Sequence, residues 1–266
     1  MVPAEEPAQQ SAPSLRRERL RRRVLDQGYV RIEELAGVLD VSIMTVHRDL
    51  DVLEREGWLT KIRGGATANP SALIEAGVRE RVQAMAIEKA AIAKAAVDLV
   101  APGQSLFLDD STTALAMLPY LKERLPLVVS TNFIPVLQGL ADTPAIEVNM
   151  LGGRYVPRTE ACFGLQTMDA IAQVHAHLLF MSTTAVMGGS CYHRSEPTVM
   201  VKRAFMAHAT RSILLIDHAK FGRPAPHLLS RLSAFDMVVT DSSIDPADLD
   251  ELRSQEVEVV VADLPA

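Results

Sequence analysis

Val41-Ser42-Ile43-Met44-Thr45-Val46-His47-Arg48-Asp49-Leu50 is the stretch on which the reading of this chain turns. Ser42 is placed to cap a helix by accepting from an orphan backbone N–H, and Val46, Leu50 and Leu53 then recur at four and three residues as its buried face. The other face carries Thr45, His47 and Arg48, hydrogen-bonding side chains near the helix N-terminus. Just upstream, Ile32, Leu35, Ala36 and Leu39 fall at i, i+3, i+4 and i+7, the apolar stripe of a shorter helix. Downstream, Trp58-Leu59-Thr60-Lys61-Ile62 mixes apolar with polar residues as a half-exposed strand does, and Gly64-Gly65 permits a tight turn. Helix, turn, helix and basic hairpin in this order read as a winged helix-turn-helix, whose second helix meets base edges and phosphates. Ser42, Thr45, His47 and Arg48 on that helix, with Lys61 and Arg63 on the wing, are the candidate DNA contacts.

Residues 15–27 read as a preceding helix, with Leu20 and Val24 one turn apart facing the core and Gly28 closing it. Over residues 15–63 there are 11 Lys or Arg and 9 Asp or Glu, a balance of +2, while the rest of the chain carries 16 against 24, or −8. Such asymmetry points to a nucleic-acid-binding end. Arg16, Arg17, Arg19, Arg21, Arg22 and Arg23 cluster on the first helix and, with Lys61 and Arg63, are expected to neutralise phosphates. Residues 1–14, rich in Ala, Pro, Glu and Gln, are expected to be a disordered leader and lack the apolar core of a signal peptide. Residues 15–68 form the expected winged helix-turn-helix domain, and Asn69-Pro70-Ser71 opens a linker over residues 69–84.

Beyond residue 85 the rhythm changes to alternating strands and helices. Short apolar runs at 105–109, 127–130, 146–151, 178–182, 212–217, 237–241 and 257–261, with helical segments between most of them, imply a mostly parallel sheet covered by helices over residues 85–262. Open α/β sheets bind ligands at the carboxyl ends of their strands. Asp109-Asp110-Ser111-Thr112-Thr113 ends one strand and opens a helix, Thr131-Asn132 ends the next, and Gly152-Gly153 the third. Asp217 with Lys220 follows a later one, and Lys202 lies on a helix after Glu196-Pro197. Asp109, Ser111, Thr112, Thr113, Thr131, Asn132, Gly153, Lys202 and Lys220 therefore form the candidate effector site, with chemistry suited to a small phosphorylated polyol.

The 266 residues, 48% hydrophobic and 23% charged, suit about two ordinary domains and exclude a disordered chain. Every apolar run is far shorter than the roughly 20 residues of a membrane helix, so no membrane partner is expected. Cys162 and Cys191, the 2 cysteines, have no zinc-like spacing and suit two unpaired thiols in a reducing cytoplasm. The scattered histidines read as surface or capping residues; His218, between Asp217 and Lys220, stands at the edge of the candidate site.

The string from Val41 to Leu50, followed by Leu53-Glu54-Arg55-Glu56-Gly57 and Arg63-Gly64-Gly65-Ala66, closely resembles the DeoR-type bacterial transcriptional regulators. The resemblance extends over residues 15–262. It departs at His47, where the family usually has arginine, at Ile43, often polar or acidic there and suited here to a thymine methyl, and at Ser111, where glycine is common. The family's sensor resembles ribose-5-phosphate isomerase and the CoA-transferase group. The resemblance implies a cytoplasmic homo-oligomer, dimer or tetramer, that binds double-stranded operator DNA and represses a carbohydrate-catabolic operon until a phosphorylated sugar or related metabolite arrives. It implies no cofactor, no metal and no catalysis. An activator with the same sensor, or a sugar-phosphate isomerase carrying a DNA-binding head, are the alternative readings.

Overall fold

Apolar side chains at helical spacing dictate the first folding unit. In a computed structural model that describes residues 12–27, 29–55, 59–62, 64–68 and 77–265, the chain divides into two compact units, residues 1–75 and 76–266. The first contains α1 (Ala12–Gln27), β1 (Tyr29–Arg31), α2 (Ile32–Leu39), α3 (Ile43–Arg55), β2 (Leu59–Ile62) and β3 (Gly65–Ala68). Leu20, Val24, Ile32, Leu35, Val46, Leu50 and Leu53 meet in one small core with Val30, Leu59 and Ala66. The stripes read from spacing are thus the packed faces.

The wing is a three-stranded antiparallel sheet of order β1-β3-β2. Its first strand, too short to show alternation, was not expected. Gly65 makes it possible, since a Cβ there would lie 2.6 Å from the Val30 carbonyl oxygen and 2.5 Å from the Tyr29 ring. Gly65→Ala must push β1 away from β3. The expected result is a loss of about 1–3 kcal/mol from the head, as overpacking costs, read as an earlier melting transition; unchanged melting would show that the strand shifts freely.

The second unit opens with α4 (Val78–Gln83), α5 (Ala86–Val97), β4 (Ser105–Leu108), α6 (Thr112–Leu115), α7 (Leu118–Leu121), β5 (Leu127–Thr131), α8 (Ile134–Leu140) and β6 (Ile146–Met150). It continues with β7 (Arg154–Val156), β8 (Ala161–Phe163), α9 (Leu165–Ala172), β9 (Ala176–Met181), β10 (Ala185–Met187), β11 (Ser190–His193) and α10 (Glu196–Ala207). It ends with β12 (Ala209–Leu215), β13 (His227–Arg231), β14 (Met237–Asp241), α11 (Pro246–Ser254) and β15 (Glu258–Ala262). Seven strands form one sheet of order β15-β14-β12-β9-β4-β5-β6, and every pairing in it is parallel. These are the seven apolar runs of the sequence. Strands such as β14, buried along its whole length, read as continuous apolar runs because helices cover both faces of the sheet.

Two expectations about the chain's ends of order need correction. Helix α1 already includes residues 12–14 of the expected leader; Pro13 is tolerated there because the first helical turn needs no N–H from it. Residues 1–11 lie outside the described residues. The expected linker is also shorter than 69–84, because residues 78–83 form α4, with Val78 buried in the second unit's core. The expected exit at residues 69–71 lies outside the described residues.

Candidate functional site

On the first unit, the Ser42 hydroxyl accepts from the Thr45 N–H at 3.2 Å and lies 2.9 Å from the Thr45 hydroxyl. Both side chains thus secure the start of α3. His47 is half-buried and Arg48 exposed, so the helix presents a donor-bearing edge beside its N-terminus. Lys61 is tied to Asp51 on α3, which holds the Asp51 carboxyl below the usual carboxylate range. The Lys61 N–H also donates to Glu54 at 2.7 Å, so this lysine fixes the wing strand to the recognition helix. Arg63 lies outside the described residues.

Among the described side chains, the arginine cluster of α1 is not a uniformly open phosphate-binding face; the Arg22 side chain lies outside the described residues. Arg16 donates to both oxygens of the buried Asp49 at 2.6 and 3.3 Å, Arg23 to Glu34 at 2.8 Å, and Arg21 is only 8% exposed. A carboxylate buried on α3 needs a partner, and α1 supplies it. Arg19 remains exposed.

On the second unit, the carboxyl ends of β4, β5, β9 and β12 lie along one edge of the sheet. Asp109, fully buried, accepts from the Ser111 and Ser182 N–H groups at 3.0 Å each, from the Ser111 hydroxyl, and from Lys202. Its lone pairs are filled, so its role is to set the loop and hold Lys202. Lys202, 2% exposed, also lies 3.1 Å from Asp110. Burial alone would lower this ammonium, but the two carboxylates outweigh it and hold Lys202 above the ordinary lysine value.

Ser111 caps α6 by accepting from the Ala114 N–H at 3.1 Å. Thr112 donates to the Arg81 carbonyl at 3.2 Å, Thr131 accepts from the Phe133 N–H at 3.1 Å, and Thr113 is buried at the same helix start. Asn132 donates to the Cys162 carbonyl at 2.9 Å, while its Oδ1 is buried without a partner among the described residues. Gly153 is confined by packing, since a Cβ there would meet the Thr167 hydroxyl at 2.1 Å.

Lys220 sits on a single 3-10 turn, His218–Lys220, with its ammonium 3.8 Å from Asp217. Burial lowers it below the usual lysine value; Asp217 pulls the other way, while Arg223, Arg194 and Arg81 add to the lowering. Nearby stands Lys89 of α5, which donates to the Arg81 carbonyl and, at 2.7 Å, to the Ala84 carbonyl. Burial, together with Lys220 and Arg81, brings Lys89 down to about 8 against the opposing pull of Asp217. Arg81 donates to the Asp110 carbonyl at 3.2 Å through Nη1. Its Nε and Nη2, like both carboxylate oxygens of Asp217, are buried with no hydrogen-bond partner among the described residues. His218 contacts the buried Asp241 through its ring and its N–H, at 2.9 and 2.8 Å. His175 and His177 lie instead at the amino ends of the strands, bonded to Thr210 and Ser105.

A model of the DeoR-like helix-turn-helix domain matches residues 16–72, and one of the DeoR C-terminal sensor domain matches residues 85–242. The chain belongs to the DeoR family. The lactose phosphotransferase system repressor of Lactococcus lactis subsp. lactis is 31% identical over 239 residues, 89% of this chain and 93% of the relative. The transcriptional regulator GolR of Listeria innocua is 31% identical over 244 residues, 90% and 95% of the two chains. A solved structure of ribose 5-phosphate isomerase A from Methanocaldococcus jannaschii covers 50% of this chain and 53% of its own, at 16% identity and a TM-score of 0.37, a likeness too distant to bear on chemistry.

As a DeoR-family member the protein is a DNA-binding transcriptional regulator and not an enzyme. Among the described residues no helix is long and apolar enough to cross a membrane, and no group of three or more His, Cys, Asp or Glu is placed to hold a metal ion. Both cysteines are buried and unpaired, and burial pushes the Cys191 thiol up to about 12. Two members of the cation cluster escaped the strand-end reading of this DeoR-type sensor. Arg81 lies in α4, within the stretch whose composition reads as a linker. Lys89 did have a signal: with Ile92, Ala93 and Ala96 it falls at i, i+3, i+4 and i+7, a lysine on an apolar stripe, and those four residues are buried together.

Proposed function

We propose that the protein represses a carbohydrate-catabolic operon and leaves its operator when a phosphorylated sugar occupies the carboxyl edge of the seven-stranded sheet. The observation that carries this reading is the set of buried polar atoms on Arg81 and Asp217 that have no hydrogen bond among the described residues, beside Lys220 and Lys89, with the Asn132 Oδ1 in the same condition farther along that edge at the end of β5. Buried polar groups are ordinarily hydrogen-bonded. A phosphate matches the guanidinium and ammonium groups, and sugar hydroxyls match the Asp217 and Asn132 oxygens. The lactose phosphotransferase system repressor named above is consistent with a sugar-linked role. Two or more copies, as a dimer or tetramer, would place recognition helices in successive major grooves. The reading needs no cofactor.

The test is an operator mobility shift with a panel of aldose and ketose phosphates. At least one should release the DNA while its unphosphorylated sugar does not. Release by none, with direct binding of one confirmed, would remove the coupling.

Affinity for that phosphate should fall as pH rises. An anion favours charged Lys89, whose ammonium loses its proton around pH 8, so binding takes up protons there. Between pH 7 and pH 9 the loss should be up to about tenfold, and Lys89→Gln should flatten the profile. Calorimetry in two buffers of different ionisation heat reads the proton uptake directly; a flat wild-type profile would contradict the placement of the anion beside Lys89.

A further inference from the structure

The solvent face of α3 is not uniformly polar. Met44, His47, Arg48 and Asp51 fall at i, i+3, i+4 and i+7, one stripe, and Met44 is 63% exposed at its N-terminal end, beside Ile43 at 48%. Two large apolar side chains thus stand exposed on the N-terminal turn of α3, the part of a recognition helix that meets base edges. Packing does not account for them, since the core of the head is made by the opposite face, Val46, Leu50 and Leu53.

Each base pair offers the major groove a distinct set of groups, and only one of them is apolar, the C5 methyl of thymine. Arg48 suits the acceptors of guanine. Asp51, the natural partner of a cytosine amine, is engaged by Lys61. Met44 and Ile43 have no strong donor or acceptor with which to read any other base feature. Arg48, one turn along the same stripe and exposed, draws that face of the helix toward the DNA, so the apolar pair is carried into the groove by its charged neighbour.

We propose that Met44, with Ile43 beside it, is a specificity-determining residue that reads thymine through its C5 methyl group. This rests on α3 being the helix that enters the major groove. Each operator half-site then holds thymine where the start of α3 lies, and a cytosine there is rejected.

The experiment uses the full chain. Duplexes are enriched from a random pool, and the selected sequence is resynthesised with deoxyuridine replacing thymidine one position at a time, which removes the methyl and nothing else. At one or two positions of the half-site, uracil should weaken the wild type about fourfold, the worth of one buried methyl group. The same change should leave Met44→Gln unaffected and still weaken Met44→Leu. Uracil tolerated everywhere by the wild type overturns the proposal while leaving the groove reading intact. So does a uracil penalty that persists undiminished in both Met44→Gln and Ile43→Ala. If no duplex is enriched, the groove reading itself fails and the proposal falls with it. Met44 is exposed, so these variants should melt with the wild type.

Discussion

Lys202→Met is expected to lower the melting temperature of the sensor unit by about 6–20 °C. The change removes the cation that bridges Asp109 and Asp110, both essentially buried, and breaking a buried pair by deleting one partner costs about 3–5 kcal/mol. In a unit of this size each kcal/mol is worth about 2–4 °C. The cost arises from the two stranded carboxylates and not from lost attraction alone. Adding Asp110→Asn to Lys202→Met should therefore recover part of the loss, since one of the uncompensated charges is gone. Thermal unfolding followed by circular dichroism decides it; a shift of under 2 °C would show that the carboxylates are neutralised or hydrated by other means.

The second large effect separates sensing from DNA binding. Lys220→Gln should leave operator affinity within about twofold of the wild type and raise the phosphosugar concentration needed for half-release by about 10–150-fold. That range follows from losing one hydrogen bond to a charged group, about 1.5–3 kcal/mol. In a cell carrying this variant the operon would stay repressed when inducer is present. Equal sensitivity of variant and wild type in a mobility-shift titration would take Lys220 out of the site. Arg81→Gln should behave in the same direction, because its unpartnered Nε and Nη2 belong to the same cluster.

Much of this fold is legible in the sequence because burial in parallel sheets leaves unbroken apolar runs, and each of the seven runs became a strand of the main sheet. The small elements are not legible for the same reason turned round. β7 and β8 have three residues each, too few for any period to show. β10 and β11 do leave one trace, the two-residue Gly188-Gly189 turn with φ of 57° and 68°, a conformation suited to a hairpin.

The site is legible where a strand end carries a polar string, as at Asp109 and Asn132, but spacing does not distinguish ligands from braces. Asp109 has its hydrogen-bonding capacity filled within the protein, and the Thr112 and Thr131 hydroxyls each brace a neighbouring backbone group. The groups still short of partners include Arg81, which the sequence places in an apparent linker. The same holds for the head. Arg16 and Arg23 look like phosphate contacts in a basic run, yet Arg16 pairs with the buried Asp49 and Arg23 with Glu34 at the surface once α1 packs on the head. Charge patterns report what a segment contains, whereas tertiary packing decides which charges face outward.

On the proposed function, an anion at the Arg81, Lys89 and Lys220 cluster and operator DNA on the head compete through one conformational equilibrium. Coupling of this kind is reciprocal: whatever factor the effector imposes on operator affinity, the operator must impose on effector affinity, typically about 5–150-fold. The direct measurement is the dissociation constant of the releasing sugar phosphate, taken by calorimetry with the free protein and again with the protein saturated by operator duplex. Weaker binding in the presence of operator, by the same factor that the sugar phosphate weakens operator binding, is the predicted result. Equal affinity in the two states would contradict it.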